Sequence, residues 1–509
     1  MRMIRIVLAL FLIPLVGGSF GHTAAAAGSF TFYGGGYGHG VGMSQYGALG
    51  MAQDGWTYQE ILTQFYSDTA VGQYVFPPSI RVGLVQGAKV FHLHARGGSV
   101  ELHVGGTDGR LAGVIPSGAT WEMLTESGHY RLLDGRRLVG GHEWGGRTKN
   151  LIATYQAGGA MLQIQESGGT SYNRGRIEFN IYGDNSAGRA IAILNPQDYL
   201  YGLSEVPSDW PAQALQAQAV AARTYAFEIA KRKGQHQSWC NCAVSDDTRS
   251  QVYLAWDKEG VTDGNRWVAA VDKTAGEAVL YGGALIQAHY ASSDGGYSED
   301  VENVWNGTAL PYLRGVCDPG DFTTDNPNRV WQKTVTAAAA TSALVGYTGN
   351  IGTITSFADY QRGVSGRIMS VAAVGTSGRH SVTGAQLKAA LGLLDDRVWI
   401  DSDLTVTGPI RSKYDAVGCQ PGLPQAQQAD VAGGTRQEFA DGTIYFRGNV
   451  GAHWIHGRVL DYYLAQRGPG GGLGFPTSDV EAGSDGRTWA TFQNGKIACP
   501  AGAGVCSLV

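Results

Sequence analysis

The sequence predicts an α+β protein, a β-rich body served by one long buried alanine-rich helix, with a smaller β-rich module at the C-terminus. Three observations predict it. Glycine reaches 76 of 509 residues, about twice the ordinary share, while charged residues are only 16 %. Residues 77–195 alternate apolar and polar in short runs between glycine turns. Residues 211–233 break that pattern with a helical run, PAQALQAQAVAARTYAFEIAKRK. A hydrophobic share of 43 % with 10 % aromatics marks a globular chain, long enough for about three domains. The 38 basic and 43 acidic residues leave −5, too weak and of the wrong sign for a general nucleic-acid binder.

From the start of the chain, Arg2 and Arg5 flank the beginning of an 11-residue apolar run, Ile6 to Val16, and Ala24–Ala27 supply an A-x-A cleavage pattern. That layout predicts a secretory signal over residues 1–27. The run is about half of the ~20 residues a membrane span needs, and no later run is long enough. No cysteine lies near the cleavage site, which excludes a lipoprotein signal. Cleavage would leave 36 basic against 43 acidic residues, −7, in an exported soluble protein.

Residues 28–36 read as a short strand broken by glycines. Glycine then falls on every second residue up to Gly42, which predicts a loop that approaches something closely. Ser44 can cap a helix carrying Ala48, Met51 and Ala52, and a second helix is expected over Tyr58–Tyr66 with Ile61, Leu62 and Phe65 on one face. In the long helix Pro211 suits the first turn, Ser208 or Asp209 can cap, and Lys231–Lys233 suit the negative end. Strands are expected again over 265–290 and on to about 400, with one helix near 384–393. Residues 408–434, rich in Pro, Gly and Gln, read as a linker. Beyond it, Phe439, Gly442 and Ile444 match Phe492, Gly495 and Ile497 at an offset of 53, a repeated small β unit.

The six cysteines, Cys240, Cys242, Cys317, Cys419, Cys499 and Cys506, predict disulfides in an exported chain. Six allow 15 pairings, of which Cys499–Cys506 is the simplest local loop. Cys240, Cys242 and nearby His236 offer three ligands where a structural metal needs four, so no metal or cofactor is assigned.

Glu205 sits in Tyr-Leu-Tyr-Gly-Leu-Ser-Glu-Val-Pro-Ser-Asp-Trp-Pro. Desolvation among Leu203, Val206, Pro207 and Trp210 would raise its pKa toward that of a general acid, while the following helix start favours its anion. On spacing alone a lone Glu is more often a helix-entry cap or an ion-pair partner than a catalytic acid. Arg223, in an apolar helix middle, needs an acidic partner or a bound anion if buried. His39 is an acid/base, a hydrogen-bond donor to substrate or a core histidine. Ser292-Ser-Asp-Gly-Gly296 predicts a tight loop offering N–H groups and hydroxyls. The GxSxG nucleophile elbow is absent, since Tyr46 stands where the second glycine belongs.

Four segments together resemble the stage II sporulation protein D / amidase-enhancer family (SpoIID/LytB), which acts on peptidoglycan: GYGHGVGMSQYGALGMAQDG, YLYGLSEVP…WPAQALQAQAVAARTYA, DDTRSQVY and AHYASSDGGYSEDVENVW. They span about residues 29–406. In sporulation members the Gly-His segment comes last; here it comes first, which implies a circularly permuted order with Phe30–Tyr33 following on in space from the region near Trp399. Some members carry a His-Cys-Cys zinc site after the long helix; here Ser250 replaces the last ligand. Leu473-Gly-Phe-Pro-Thr-Ser-Asp and its flanks resemble LGFP repeats of exported wall proteins, over 435–498.

The resemblance implies a domain over 28–407 and a cell-wall module over 435–509. It also implies a lytic transglycosylase in which Glu205, aligned with the family's essential Glu, cleaves MurNAc–GlcNAc strands to 1,6-anhydro ends. His39, Ser44, Gln45, Arg223, Tyr225, Ser292, Gly295 and Gly296 are the expected substrate-lining or Glu-positioning residues. The alternatives are a non-catalytic amidase enhancer, with a cell-wall amidase as partner, and a structural envelope protein. All three place the chain at the cell envelope, with glycan strands as partner and neither nucleic acid nor a membrane span.

Overall fold

The structure is a computed structural model that describes residues 28–145, 149–155, 158–183 and 187–509. The expected signal segment, 1–27, lies outside them. The alternating run becomes two antiparallel sheets around one core. In the first, Ile80–Ala88, Ala187–Leu194, Arg176–Tyr182, Leu151–Tyr155, Val100–Val104 and Arg110–Ile115 neighbour one another in that order. In the second the order is His129–Asp134, Thr120–Glu126, Val90–Arg96 and Met161–Ile164, with a short strand at each edge. Phe91 and Leu132 of one sheet and Leu151 and Phe179 of the other are fully buried together, and the Tyr130 hydroxyl donates across to the Phe179 carbonyl at 2.8 Å.

The long helix spans Ala212–Lys233, about 33 Å at 1.5 Å per residue. Pro211 is its N-cap residue, and the expected caps Ser208 and Asp209 make no capping bond. Alanine-rich faces let two cores close on it. Ala219, Ala222 and Ala226 pack with the sheets, while Ala217, Val220 and Ala221 pack with Met43, Ala48, Ile61 and Phe65. Met43 lies in the short strand Met43–Ser44, and the other partners come from helices Gln45–Gln53, capped by Ser44, and Tyr58–Phe65, capped by a Thr57–Glu60 box.

Two of the expected strand regions hold helices, Gly264–Lys273 and Ala337–Thr348. Trp267, Ala270 and Val271 bury one face of the former, a spacing of three and four that outweighs their strand propensity. The first strand, Ser29–Gly34, lies between Trp331–Thr336 and Val398–Ile400, antiparallel to both, with Tyr33 opposite Trp399.

The segment 408–434 is ordered where composition suggested a linker. Gly408–Ala416 is a helix that buries Ile410, Arg411 and Tyr414, and Cys419 is bonded to Cys317. Ile410, Tyr414 and Cys419 share a core with Phe439, Ile444 and Trp454 of the tail. The tail itself holds two four-stranded meanders. Phe439 pairs with Gly442 and Phe492 with Gly495, and each phenylalanine is bridged by a proline, Pro424 or Pro476, so the echo at 53 residues is one unit used twice. Truncation after residue 419 is therefore expected to strip the cover from Ile410 and Tyr414 and to yield an aggregating product. Light scattering of the truncated chain beside the full chain checks this.

Candidate active site

Glu205 follows the short helix Pro196–Tyr201, whose N-cap Asn195 accepts the Asp198 N–H. The next residues are zipped to a second segment: Leu203 bridges Tyr253, and the Ser204 N–H donates to the Val252 carbonyl at 2.8 Å. That register delivers the Val252 N–H to Glu205 Oε1 at 2.5 Å. Gln45 Nε2 donates to the Glu205 carbonyl (3.4 Å) and to Gln218 Oε1 (3.3 Å), which joins the N-terminal segment to the long helix at this point.

No lysine or arginine among the described residues pairs with Glu205. Tyr199 donates to Gln251 Oε1 (2.7 Å), and Gln251 Nε2 donates to the Tyr290 hydroxyl (2.7 Å). Tyr199, Tyr225 and Tyr290 all feel the Glu205 charge, and burial above all holds each phenol above its ordinary value. Burial likewise lifts Glu205 to about 7, against the opposing pull of the Val252 N–H and the Gln45 side chain. Desolvation thus outweighs both hydrogen bonds.

Glu205 belongs to the walls of two concavities. One, of about 530 Å³, is lined by Tyr37, His39, Gln45, Tyr225, Arg249, Val252, His289, Tyr290, Ser292 and Trp305, among others. The other, of about 600 Å³, is lined by Asp209, Leu254, Asp257 and Lys258 among others. Tyr37 and Trp305 are each nearly half exposed, at 49 % and 45 %.

The Gly-His segment forms one wall because its backbone is stitched to residues 289–293. Tyr37 and Ser293 exchange N–H···O bonds of 2.8 and 3.2 Å, Met43 N–H reaches the His289 carbonyl (3.1 Å), and Tyr46 N–H reaches that of Ser292 (3.0 Å). Glycine is required where this stitching is tightest. A Cβ on Gly42, at φ +72°, would stand 2.1 Å from the His289 carbonyl oxygen, and one on Gly40 would enter the Arg367 guanidinium.

Residues 184–281, which contain Glu205, match the family model described as Stage II sporulation protein, and residues 421–471 match that of the LGFP repeat. The chain carries a SpoIID domain. An amidase enhancer of Bacillus subtilis is 37 % identical over 118 residues, 23 % of this chain and 14 % of the relative. A stage II sporulation protein D of Bacillus subtilis is 30 % identical over 162 residues, 30 % of this chain and 46 % of the relative. An uncharacterized protein of Brachyspira hyodysenteriae is 37 % identical over 147 residues, 28 % of this chain and 36 % of the relative. The chain spans less than half the length of each of these three relatives. The Gly-His segment that walls the SpoIID cleft lies outside the matched range.

Of the residues singled out from sequence, the SpoIID cleft gathers Glu205, His39, Gln45, Tyr225 and Ser292. His39 is neutral: burial first, then His289, lowers it to about 3. Its Nδ1 accepts the Val41 N–H at 3.0 Å, and its ring packs on Trp305, so it builds part of the wall.

The other candidates stand elsewhere. Ser44 is a buried N-cap whose Oγ donates to Asp321 at 2.8 Å. Arg223 faces away from Tyr225, as two residues of a helix, about 200° apart, must. It donates to the carbonyls of Glu277 (3.1 Å) and Val271 (3.3 Å), while its buried Nε has no hydrogen-bond partner. Gly295 and Gly296 have positive φ and press on Gly35 and the Arg411 guanidinium. Cys240 and Cys242 are bonded to each other, and His236 Nδ1 meets Asn241 Oδ1 at 2.6 Å, so these three form no ligand set.

His289, Tyr290 and Trp305 were missed. All lie in the quoted AHYASSDGGYSEDVENVW motif, so the signal was present. Val252 lies in the quoted DDTRSQVY motif but offers only its backbone N–H, which no side chain marks.

Proposed function

We propose that this chain acts on peptidoglycan at the cell envelope as a lytic transglycosylase. The observation that carries the reading is a carboxyl lifted to about 7, with no cation paired to it among the described residues, on the common wall of two open concavities. A strand laid across it would place a glycosidic oxygen at the carboxyl with sugars on both sides. Protonated Glu205 gives its proton to that oxygen, the MurNAc C1–O bond breaks, and oxocarbenium character develops. The resulting carboxylate takes the proton of the MurNAc 6-hydroxyl as its oxygen bonds to C1, which closes the 1,6-anhydro ring. No water is consumed, so no second carboxylate is required. The LGFP match supports a tail that holds the enzyme at the wall.

Peptide-stripped glycan strands incubated with the full chain should yield anhydro-MurNAc ends by mass spectrometry. A relative named amidase enhancer keeps a second reading open, in which the chain stimulates a separate amidase. Absence of anhydro ends, with amidase activity rising on mixing, selects that reading. Within the first, Trp305→Ala should raise KM by roughly 2–10-fold with kcat little changed, since its ring offers a stacking face and no proton. Steady-state kinetics on soluble strands checks it.

A further inference from the structure

Behind the Gly-His wall, the turn 292–296 and the segment Cys317-Asp-Pro-Gly-Asp321 bring three carboxylates together. Asp294, Asp318 and Asp321 are all 0 % exposed, and an oxygen of each lies within 4.8 Å of the others. Backbone amides hold them in place. Asp294 Oδ1 accepts the Gly296 N–H (2.7 Å), and Asp318 Oδ1 accepts those of Gly320 (2.9 Å) and Asp321 (3.1 Å). Asp321 accepts the hydroxyls of Ser44 and Ser293, both at 2.8 Å.

That leaves Oδ2 of Asp294 and Oδ2 of Asp318 buried and without a hydrogen-bond donor. Such orphaned carboxylate oxygens are expensive unless something positive meets them. The neighbouring guanidiniums reach the cluster through its backbone, Arg367 donating to the Asp294 carbonyl at 2.9 Å and Arg411 to that of Asp318 at 3.2 Å, and take their carboxylate partners elsewhere. Arg367 is paired with Asp395 at 3.0 Å and Asp396 at 3.5 Å, Arg411 with Asp415 at 2.7 Å, and Arg397 Nε donates to the Ser365 carbonyl. Gly47 lets the Asp318 carboxylate lie close against its helix, since a Cβ there would stand 2.0 Å from Asp318 Oδ2.

We propose that Asp294, Asp318 and Asp321 form a binding site for a divalent cation of the calcium class. The donors are all hard carboxylate oxygens with no histidine or thiolate, which suits Ca²⁺, Mg²⁺ or Mn²⁺ over zinc or copper. The cation would tie the two segments together at one point. Through Asp321 it would fix Ser44, the cap of the helix that presents Gln45 to Glu205.

The test uses the full chain dialysed against EDTA. Added Ca²⁺ should bind one ion per chain by calorimetry and raise the melting temperature by several degrees. Asp318→Asn and Asp294→Asn should each abolish both effects, and Asp318→Asn should melt higher than wild type without metal, because it removes a buried charge. Exposed Asp325→Asn should leave binding unchanged. If either cluster variant fails to fold, Tb³⁺ luminescence on wild type, competed by Ca²⁺, reads the site directly. Two results overturn the proposal: no saturable binding of Ca²⁺, Mg²⁺ or Mn²⁺, or binding that survives both substitutions.

Discussion

Glu205→Gln is expected to lower the formation of anhydro-MurNAc ends by roughly 10²–10⁴-fold while leaving strand binding intact. Glutamine keeps an oxygen for the Val252 N–H and the same volume, and it loses only the transferable proton. The pH dependence of the wild type follows from the same group. Activity needs the protonated carboxyl, so kcat/KM should fall about tenfold per pH unit above about 7. His39 and His289 do not blur this limb, since burial first of all holds them near 3 and 4.

Stability carries a matching signature. Glu205 moves from 4.5 in the unfolded chain to about 7 when folded, so folding favours the proton-bearing form. That contribution is complete below about pH 4.5 and is lost as pH rises through 7, where the buried anion costs up to roughly 3 kcal/mol. Glu205→Gln should therefore melt above wild type at pH 8 and converge with it toward pH 4. Melting curves across that range decide it; a wild-type limb centred near 4.5 would remove the buried acid from the mechanism.

Arg367→Ala should be the most damaging single change away from Glu205. The side chain is 1 % exposed, lies 3.0 Å from Asp395, and donates to the carbonyls of Tyr297 (3.0 Å) and Asp294 (2.9 Å). Its loss strands the fully buried Asp395 and two carbonyls, a penalty of about 3–5 kcal/mol by comparison with other broken buried pairs. Because Gly40 is fitted against this guanidinium, the Gly-His wall should loosen with it. Arg367→Lys should recover only part of the loss, since an ammonium cannot fork to carboxylate and carbonyls at once. Urea unfolding of the three proteins measures both effects.

Local chemistry made much of this legible. Ser44 reads as a cap because its oxygen has a backbone N–H three residues on, and Gly40 and Gly42 read as close approaches because nothing else fits. Cys499–Cys506 could be paired from proximity in sequence, whereas Cys317–Cys419, 102 residues apart, could not. Glu205 was visible as a candidate, but its environment was not: the balance of burial against the Val252 amide depends on a segment 47 residues away. Arg223 and Tyr225 were chosen together although helical geometry separates them. The 408–434 stretch misled because Gly, Pro and Gln dominate its composition, while Ile410, Tyr414 and Cys419 decide its burial.

The placement of Ser29–Gly34 between two late strands has a consequence for how the molecule comes into being. Thr31 meets Thr334 and Asp401, 303 and 370 residues further on, so the earliest part of this body stays unpartnered until nearly all the rest has been synthesised. Such remote pairings form slowly, after locally stabilised pieces such as the sandwich. The Gly-His wall follows that strand directly, so the groove around Glu205 is finished last, and a nascent or broken chain carries the acid without the pocket that arms it.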